Sequence, residues 1–165
     1  MADKTLDTLF HETLRDIYYA EKKLLAALRK LARGASDAEL KQAFTAHREE
    51  TETHIERLQQ VFEMIGKPAR GKTCDAIDGI TAEADEVMEE FKGQPALDAA
   101  ILAAAQAAEH YEISRYGSLI AWAEALGMKE AAELMGQTLA EEKAADQKLT
   151  ALATSALNTA AKAAA

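Results

Sequence analysis

Carboxylates on the apolar faces of predicted helices are the residues of this 165-residue chain best suited to chemistry. One and two helical turns from Glu21, the same face carries aliphatic residues at Leu14, Ile17, Leu24 and Leu28. Glu109 and Glu112 share the core face of a later helix, and Glu142 lies on the core side of the last one. An ionised carboxylate in a dry core costs several kcal/mol unless a base, a proton or a cation compensates it.

Metal ions are the compensation that fits these acids best. The nearby bases do not suffice, because Arg48 and Arg115 fall off the centres of their core faces and the neighbouring lysines point away. A pair of divalent cations supplies the missing positive charge and accepts oxygen ligands. A donor set rich in carboxylates and poor in nitrogen is typical of iron or manganese, and zinc can substitute. The sequence therefore predicts two metal ions per chain.

Long amphipathic helices must position these acids. Glycine and proline divide the chain into four long helices, a shorter third helix and an alanine-rich tail, predicted over residues 3–33, 36–65, 76–92, 95–126, 128–157 and 158–165. Short turns at Gly34 and Gly127 make two antiparallel hairpins, which a connection of nearly thirty residues joins. The prediction is an all-α fold: a single ferritin-like domain over residues 1–165, built as an antiparallel four-helix bundle whose long crossover contains the short extra helix.

The acids fall at one height in that bundle. Glu21 and Glu50 each stand ~21–23 Å from the first turn, and Glu112 and Glu142 each lie 15 residues from Gly127. The two hairpins also echo each other, since a second candidate ligand follows four residues after Glu50 and four residues after Glu142. The predicted ligands are Glu21, Glu50, His54, Glu109, Glu112, Glu142 and Asp146.

Within this set, Glu50 and Glu142 are expected to bridge the two metals. Glu49 or Glu52 is an alternative to His54 as the further ligand from the second helix. Three residues are expected beside the ligands rather than among them: His47, Tyr18 and Tyr116.

Composition limits the class of partner. The excess of 28 Asp+Glu over 19 Lys+Arg gives a formal charge of -9 and a pI near 5.0, which disfavours binding to nucleic acid or anionic membranes. No apolar run approaches the ~20 residues of a membrane span, and the charged start MADKTLDTLFHETL is unlike a secretory signal. A cytoplasmic location is expected. The single cysteine, Cys74, allows no intrachain disulfide.

The chain resembles the YciE/YciF-like branch of the ferritin-like superfamily over nearly its whole length. The motifs that carry the resemblance are Asp16-Ile-Tyr18-Tyr-Ala-Glu21, His47-Arg-Glu-Glu50-Thr, Glu109-His-Tyr-Glu112-Ile-Ser-Arg-Tyr116-Gly and Glu141-Glu142-Lys-Ala-Ala-Asp146. The resemblance implies a stress-associated bacterial protein, a dinuclear metal centre inside the bundle and a homodimer. Its first motif adds Asp16 to the residues expected beside the ligands.

The sequence departs from the usual superfamily scheme of one Glu on each of two helices and Glu-x-x-His on the other two. His54 follows Glu50 by four residues rather than three, and Asp146 stands where a histidine is expected. The predicted site is therefore unusually rich in oxygen, which argues against a direct transfer of ferroxidase or oxygenase activity.

Three functions fit these observations. The first is redox chemistry with peroxide, dioxygen or Fe(II) in a stress response, as an oxidase, peroxidase or catalase-like enzyme. The second is a non-catalytic metal-binding or structural helical dimer. The third is an iron-storing mini-ferritin, which is disfavoured because the alanine-rich tail lacks the pattern of an added core helix.

Overall fold

The computed structural model describes residues 4–163, which are mostly helical. The described chain forms six α-helices: α1 Leu6–Gly34, α2 Ala38–Met64, α3 Asp75–Glu90, α4 Leu97–Ala125, α5 Lys129–Leu152 and α6 Asn158–Ala163. The first five helices begin within a few residues of the predicted positions. Residue 3, where the first helix was expected to begin, lies outside the described residues.

The C-terminal segment differs from the expected tail. A π-helical turn, Ala153–Leu157, follows α5 and leads directly into α6. The helical path continues because neither glycine nor proline occurs after Gly136. Leu157 is buried in the core, so this segment is part of the packed structure. Residues 164 and 165 of the predicted tail lie outside the described residues.

Asp98, at the start of α4, shows how the two hairpins are oriented. Its Oδ1 accepts a hydrogen bond from the backbone N–H of Ser36 at 2.7 Å, and its Oδ2 accepts one from that of Asp37 at 2.9 Å. The start of α4 therefore adjoins the turn between α1 and α2, so α4 runs parallel to α2. Because α1 packs on α4 and α2 packs on α5, the four long helices form the predicted ferritin-like bundle.

The long crossover carries α3 against α1 and α4. Polar contacts anchor it to α1: the Tyr19 hydroxyl donates to Asp78 at 2.9 Å, and Lys30 Nζ lies 2.7 Å from Asp85. The buried face of α3 consists of Ile77, Thr81 and Ala84. The crossover is thus a packed layer along one side of the bundle. Among residues 4–163, no helix combines the length and the hydropathy needed to cross a membrane.

Apolar side chains fill the bundle on both sides of its mid-height. Towards one end, the core includes Phe10, Ile17, Phe62, Leu119 and Met135. Towards the other end, it includes Leu31, Leu40, Phe44, Ile101 and Leu149. All four long helices contribute to both clusters, so the buried polar residues between the clusters lie at the middle of the bundle.

Candidate metal centre

Four glutamates and two histidines form the buried polar layer at the middle of the bundle. One ligand atom from each of His47, Glu109, Glu112 and Glu142 lies within 4.8 Å of the others, and we call these residues the His47 group. The same holds for Glu21, His54 and Glu142, which we call the His54 group. Glu142 belongs to both groups, so its carboxylate joins them into one centre.

Both histidines come from the core stripe of α2. Buried residues recur along this helix at spacings of three and four, as in an amphipathic helix, and His47, Thr51 and His54 are successive members of that stripe. His47 Nε2 lies 3.1 Å from Glu109 Oε1 and 3.2 Å from Glu142 Oε2. His54 Nδ1 lies 3.0 Å from Glu142 Oε1 and 3.5 Å from Glu21 Oε1. The helix therefore presents one imidazole nitrogen to each group.

The other ring nitrogen of each histidine faces a carboxylate at the edge of the site. His47 Nδ1 is hydrogen-bonded to Glu50 Oε2 at 3.0 Å, and His54 Nε2 is hydrogen-bonded to Glu141 Oε2 at 2.9 Å. If the outer nitrogen of a neutral imidazole carries the proton, the inner nitrogen presents a lone pair. Metal-ligating histidines almost always donate their other N–H to a carboxylate, a backbone carbonyl or water. Both histidines have this arrangement.

Several buried atoms of the centre have no hydrogen-bond partner. They are Glu21 Oε2, Glu109 Oε2, Glu112 Oε1, His54 Nδ1 and both carboxylate oxygens of Glu142. The short distances from Glu142 to the two imidazoles are thus close approaches without hydrogen-bond geometry. An orphaned buried polar atom carries its full desolvation cost. Cations coordinated by these atoms would remove that cost, so the donor set fits bound metal.

Burial and mutual repulsion raise the pKa values of three of the glutamates. Burial raises the pKa of Glu109 to about 8, and it also raises the pKa values of Glu21 and Glu112. Burial acts in the same direction on Glu142, but the two imidazoles outweigh it and lower the pKa of this carboxyl. In the absence of metal, the layer therefore retains protons on some carboxyl groups and keeps Glu142 ionised.

The two histidines show the complementary effect. Burial by itself lowers the pKa of His54, but Glu142 and Glu21 outweigh it and raise this pKa to about 10. The pKa of His47 is raised in the same way, with Glu109 and Glu142 outweighing burial. Metal-free protein thus holds protons at the positions that cations would take.

Polar groups around the centre restrain its ligands. The hydroxyl of Tyr116, which is fully buried, donates to Glu21 Oε1. Arg57 binds Glu141 through both ends of its guanidinium, with Nη1 to Oε2 at 2.6 Å and Nη2 to Oε1 at 3.0 Å. The same Nη1 donates to Thr138 Oγ1 at 3.1 Å. Glu141 is therefore held in place where it meets His54.

Two of the predicted ligands, Glu50 and Asp146, lie outside both groups. The side chain of Glu50 is 48% exposed and belongs to neither group, because it stands one residue off the core stripe of α2 and reaches back to His47. Asp146 lies on the flank between α4 and α5, where Oδ1 accepts from Gln106 Nε2 at 3.0 Å and lies 3.1 Å from His110 Nε2. Of the two expected bridging residues, Glu142 belongs to both groups and Glu50 to neither, whereas His47, which was expected beside the ligands, belongs to the His47 group.

Three further residues named in the sequence analysis, Glu49, Glu52 and Tyr18, also lie outside the centre. The side chains of Glu49 and Glu52 are exposed, and Glu52 pairs with Arg48 at 3.0 Å, so His54 lies in the centre and these two glutamates do not. Tyr18 packs against Phe62, and its hydroxyl accepts from Gln59 rather than contacting the centre.

Asp16 was also expected beside the ligands. It is half-buried and belongs to neither group. Burial raises its pKa, an effect that the charges of Lys72 and Arg115 oppose.

Glu141 and Arg57 had no role in the sequence prediction. The signal available for Glu141 was its position directly before Glu142 in the fourth motif, which places it at the edge of the same helix face. Arg57 follows His54 by three residues on α2, one turn along the helix, where a base can neutralise an acid that binds the histidine.

Residues 5–162 match a family model described as "Domain of unknown function (DUF892)". The chain belongs to the DUF892 family. This DUF892 chain is 48% identical to Protein YciF of Escherichia coli (strain K12) over 156 residues, which cover 94% of each protein.

Two solved structures resemble this DUF892 chain. The crystal structure of the E. coli stress protein YciF superposes with a TM-score of 0.90 at 48% identity, covering 94% of this chain and 99% of that one. The structure of YcfI from Rhodopseudomonas palustris, described there as a candidate structural protein, has a TM-score of 0.86 at 50% identity, with coverage of 88% and 93%. The comparisons confirm the predicted family resemblance and the helical-bundle fold.

Proposed function

We propose that this protein holds a dinuclear metal centre in the middle of its helical bundle. His47, Glu109 and Glu112 would hold one ion, His54 and Glu21 would hold the other, and Glu142 would be shared. The observation that carries the proposal is the position of Glu142, which belongs to both ligand groups while neither of its buried oxygens has a hydrogen-bond partner. Asp146 and Glu50 are not part of this ligand set.

The charges of the centre match two divalent ions. Its four glutamates together carry four negative charges when ionised, and two divalent cations carry four positive ones. Neutral imidazoles add none, so the loaded layer has no formal net charge. A buried site of balanced charge avoids the desolvation cost of an uncompensated ion.

Iron or manganese suits this donor set best. Four carboxylates and two imidazoles form an oxygen-rich mixed site, and such a site favours iron or manganese over zinc. Structural zinc sites are instead rich in cysteine thiolates. Zinc can still substitute, because its preferred ligands include both imidazole and carboxylate.

The proposed reaction is redox chemistry with peroxide, dioxygen or Fe(II) in a stress response. Two adjacent redox-active metals, held by the residues of the centre, would supply the electron exchange that such a reaction needs. The protein supplies apolar packing on both sides of the centre and a tyrosine hydroxyl on Glu21. The similarity to YciF, which is named a stress protein, supports a role of this kind.

A structural or metal-binding role without catalysis is the second candidate. It is favoured by the deep burial of all six residues of the centre and by the description of the similar YcfI as a candidate structural protein. In this case, metal would stabilise the bundle, and two copies would associate as a homodimer. A mini-ferritin cage remains the third candidate.

Metal loading followed by an assay for peroxide consumption separates these functions. We expect protein stripped with a chelator and reloaded with Fe(II) or Mn(II) to retain two ions per chain, measured by elemental analysis after desalting. The redox proposal then predicts that loaded protein consumes hydrogen peroxide, with zinc-loaded protein as the inert control. If loaded protein consumed neither peroxide nor dioxygen, the redox proposal would be refuted, and the structural or metal-binding role would be favoured.

The mass of the particle in solution tests the remaining alternatives. Light scattering coupled to size exclusion should give twice the 17.9 kDa of one chain for the proposed homodimer. A large closed assembly would instead support the storage cage. A failure to retain any ion after reloading would refute the metal centre itself.

A further inference from the structure

A cleft between α2 and α5 leads from the surface to the His47 group. It encloses about 120 Å³. Its walls carry several small side chains, including those of Ala43, Ala46, Ala144 and Ala145, and it reaches His47 and Glu109. The alanines leave the approach to the centre open where larger side chains would close it.

We propose that this cleft is the port through which a divalent cation reaches the metal centre, with Glu50 as its first point of contact. The proposal rests on the proposed metal centre and adds a direction of uptake, a class of solute and a role for a carboxylate that the centre does not use.

Glu109 gives the cleft a destination for a cation. Its side chain is only 3% exposed, and its Oε2 has no hydrogen-bond partner. His47 lies next to it, with Nε2 at 3.1 Å from Glu109 Oε1. Glu109 thus lines the cleft and carries an unpartnered buried carboxylate oxygen, where a cation is stabilised as it displaces the carboxyl proton.

Glu50 supplies the outer step of the same path. Its side chain is 48% exposed and binds His47 Nδ1 through Oε2. One carboxylate therefore faces solvent and another faces the interior, with a single imidazole between them. Glu141 also lines the cleft, but Arg57 and His54 hold both of its oxygens, which leaves Glu50 as the freer acid.

Lys148 is the one lysine or arginine among the described residues that line the cleft. It is exposed at the opening, and its charge opposes the approach of a cation. Removing the charge of Lys148 should therefore accelerate cation uptake, whereas removing the charge of Glu50 should slow it.

A second cavity also reaches Glu109 and Glu112, from the side covered by α3. It encloses only about 20 Å³, and its other walls are mostly apolar, including Leu24, Leu28 and Ile80. That space is close to the size of one water molecule, and the described residues that line it carry no titratable group besides His47, Glu109 and Glu112 of the centre itself. The cleft between α2 and α5 is the better route.

The rate of zinc uptake by the metal-free full-length protein tests the port. Zn²⁺ is mixed with protein in a stopped-flow instrument, and an indicator dye reports free zinc. Ala144→Leu narrows the cleft at an exposed position, and Ala151→Leu makes the same change at an exposed position of α5 that does not line it. We expect Ala144→Leu to slow uptake several-fold, with two zinc ions still bound at saturation, and Ala151→Leu to match the wild type.

The charge variants test which solute the port admits. Glu50→Gln keeps an oxygen that accepts from His47 but removes the charge, so uptake should slow and become less dependent on salt. Lys148→Gln should accelerate uptake by a similar factor. Equal rates in the two leucine variants would overturn the port, and the reverse order of the charge variants would overturn its selectivity for cations. If wild-type protein bound no zinc at all, the proposed metal centre would fail and not only its port.

Discussion

Glu142 places one carboxylate oxygen against each of two histidines, with Oε1 3.0 Å from His54 Nδ1 and Oε2 3.2 Å from His47 Nε2. Neither approach has hydrogen-bond geometry, and both oxygens are buried. A carboxylate caught between two imidazoles in this way is suited to bridging two cations. Because both groups share Glu142, a substitution that removes its charge should weaken the binding of both metal ions.

Glu142→Gln should abolish the binding of both metals. The amide has nearly the shape of the carboxylate but carries no charge, so each group loses its shared anion. We expect elemental analysis of the reloaded variant to give fewer than one ion per chain. Asp146→Asn is the matched control on the same helix, because Asp146 contacts Gln106 and His110 instead of the centre. Loss of metal in the control, with metal retained in Glu142→Gln, would contradict the assigned ligands.

Glu141 should act through His54 rather than as a ligand. Its Oε2 accepts from His54 Nε2 at 2.9 Å and so orients the inner nitrogen. Mutations of such partners typically lower metal affinity about 10–100-fold, and we expect Glu141→Ala to do so at one of the two sites. Glu141→Gln retains an acceptor oxygen and should recover most of the affinity, measured by competition with a chelator of known affinity. Equal losses in both variants would show that the charge matters rather than the orientation.

Tyr116→Phe should destabilise the metal-free protein. The hydroxyl donates to Glu21, whose other oxygen has no partner, and both residues are fully buried. Removing the donor leaves a buried carboxyl group less satisfied, at a cost of about 1–3 kcal/mol in the free energy of unfolding. Urea denaturation of the metal-free variant measures this change. Tyr18→Phe is the control, and its effect should be smaller because Tyr18 does not contact the centre.

The stability of the metal-free protein should fall as the pH rises from 5 to 8. The pKa of Glu109 in the folded chain is about 8, well above its ordinary value of 4.5, and the pKa values of Glu21 and Glu112 are raised as well. Over this range the folded state binds more protons than the unfolded chain, so the free energy of unfolding decreases with pH. The pKa of His54, raised to about 10, extends the loss above pH 8.

The lowered pKa of Glu142 has the opposite sign, but it acts only below that residue's ordinary value of 4.5. Urea midpoints of the metal-free protein between pH 5 and pH 9 provide the measurement. Glu109→Gln should flatten the slope, because the substituted residue no longer titrates. Saturation with metal should also flatten it, since bound cations displace the same protons. A free energy of unfolding that rises with pH between 5 and 8 would refute this account.

The contrast between Glu50 and His47 shows where sequence reasoning reached its limit. The two residues lie three positions apart near the core face of α2. Glu50 was predicted as the metal ligand because it is an acid at the same height in the bundle as Glu21. The buried stripe of the packed helix runs through His47, Thr51 and His54. A small rotation of a helix about its axis decides which of two such neighbours faces inward, and that rotation is set by packing against α1 and α5.

The sequence by itself determined the bundle, its crossover and the mid-height layer of acids, because helical periodicity, glycine turns and residue counts are local properties. Glu21, Glu109, Glu112 and Glu142 stand on apolar stripes whose centres are clear from the residues around them. Only the tertiary structure decided the rest: the inward turn of His47, the outward turn of Glu50, the pairing of Glu141 with His54, and the displacement of Asp146 to Gln106 and His110. Each of these depends on contacts between helices far apart in the chain, which a pattern within one helix does not contain.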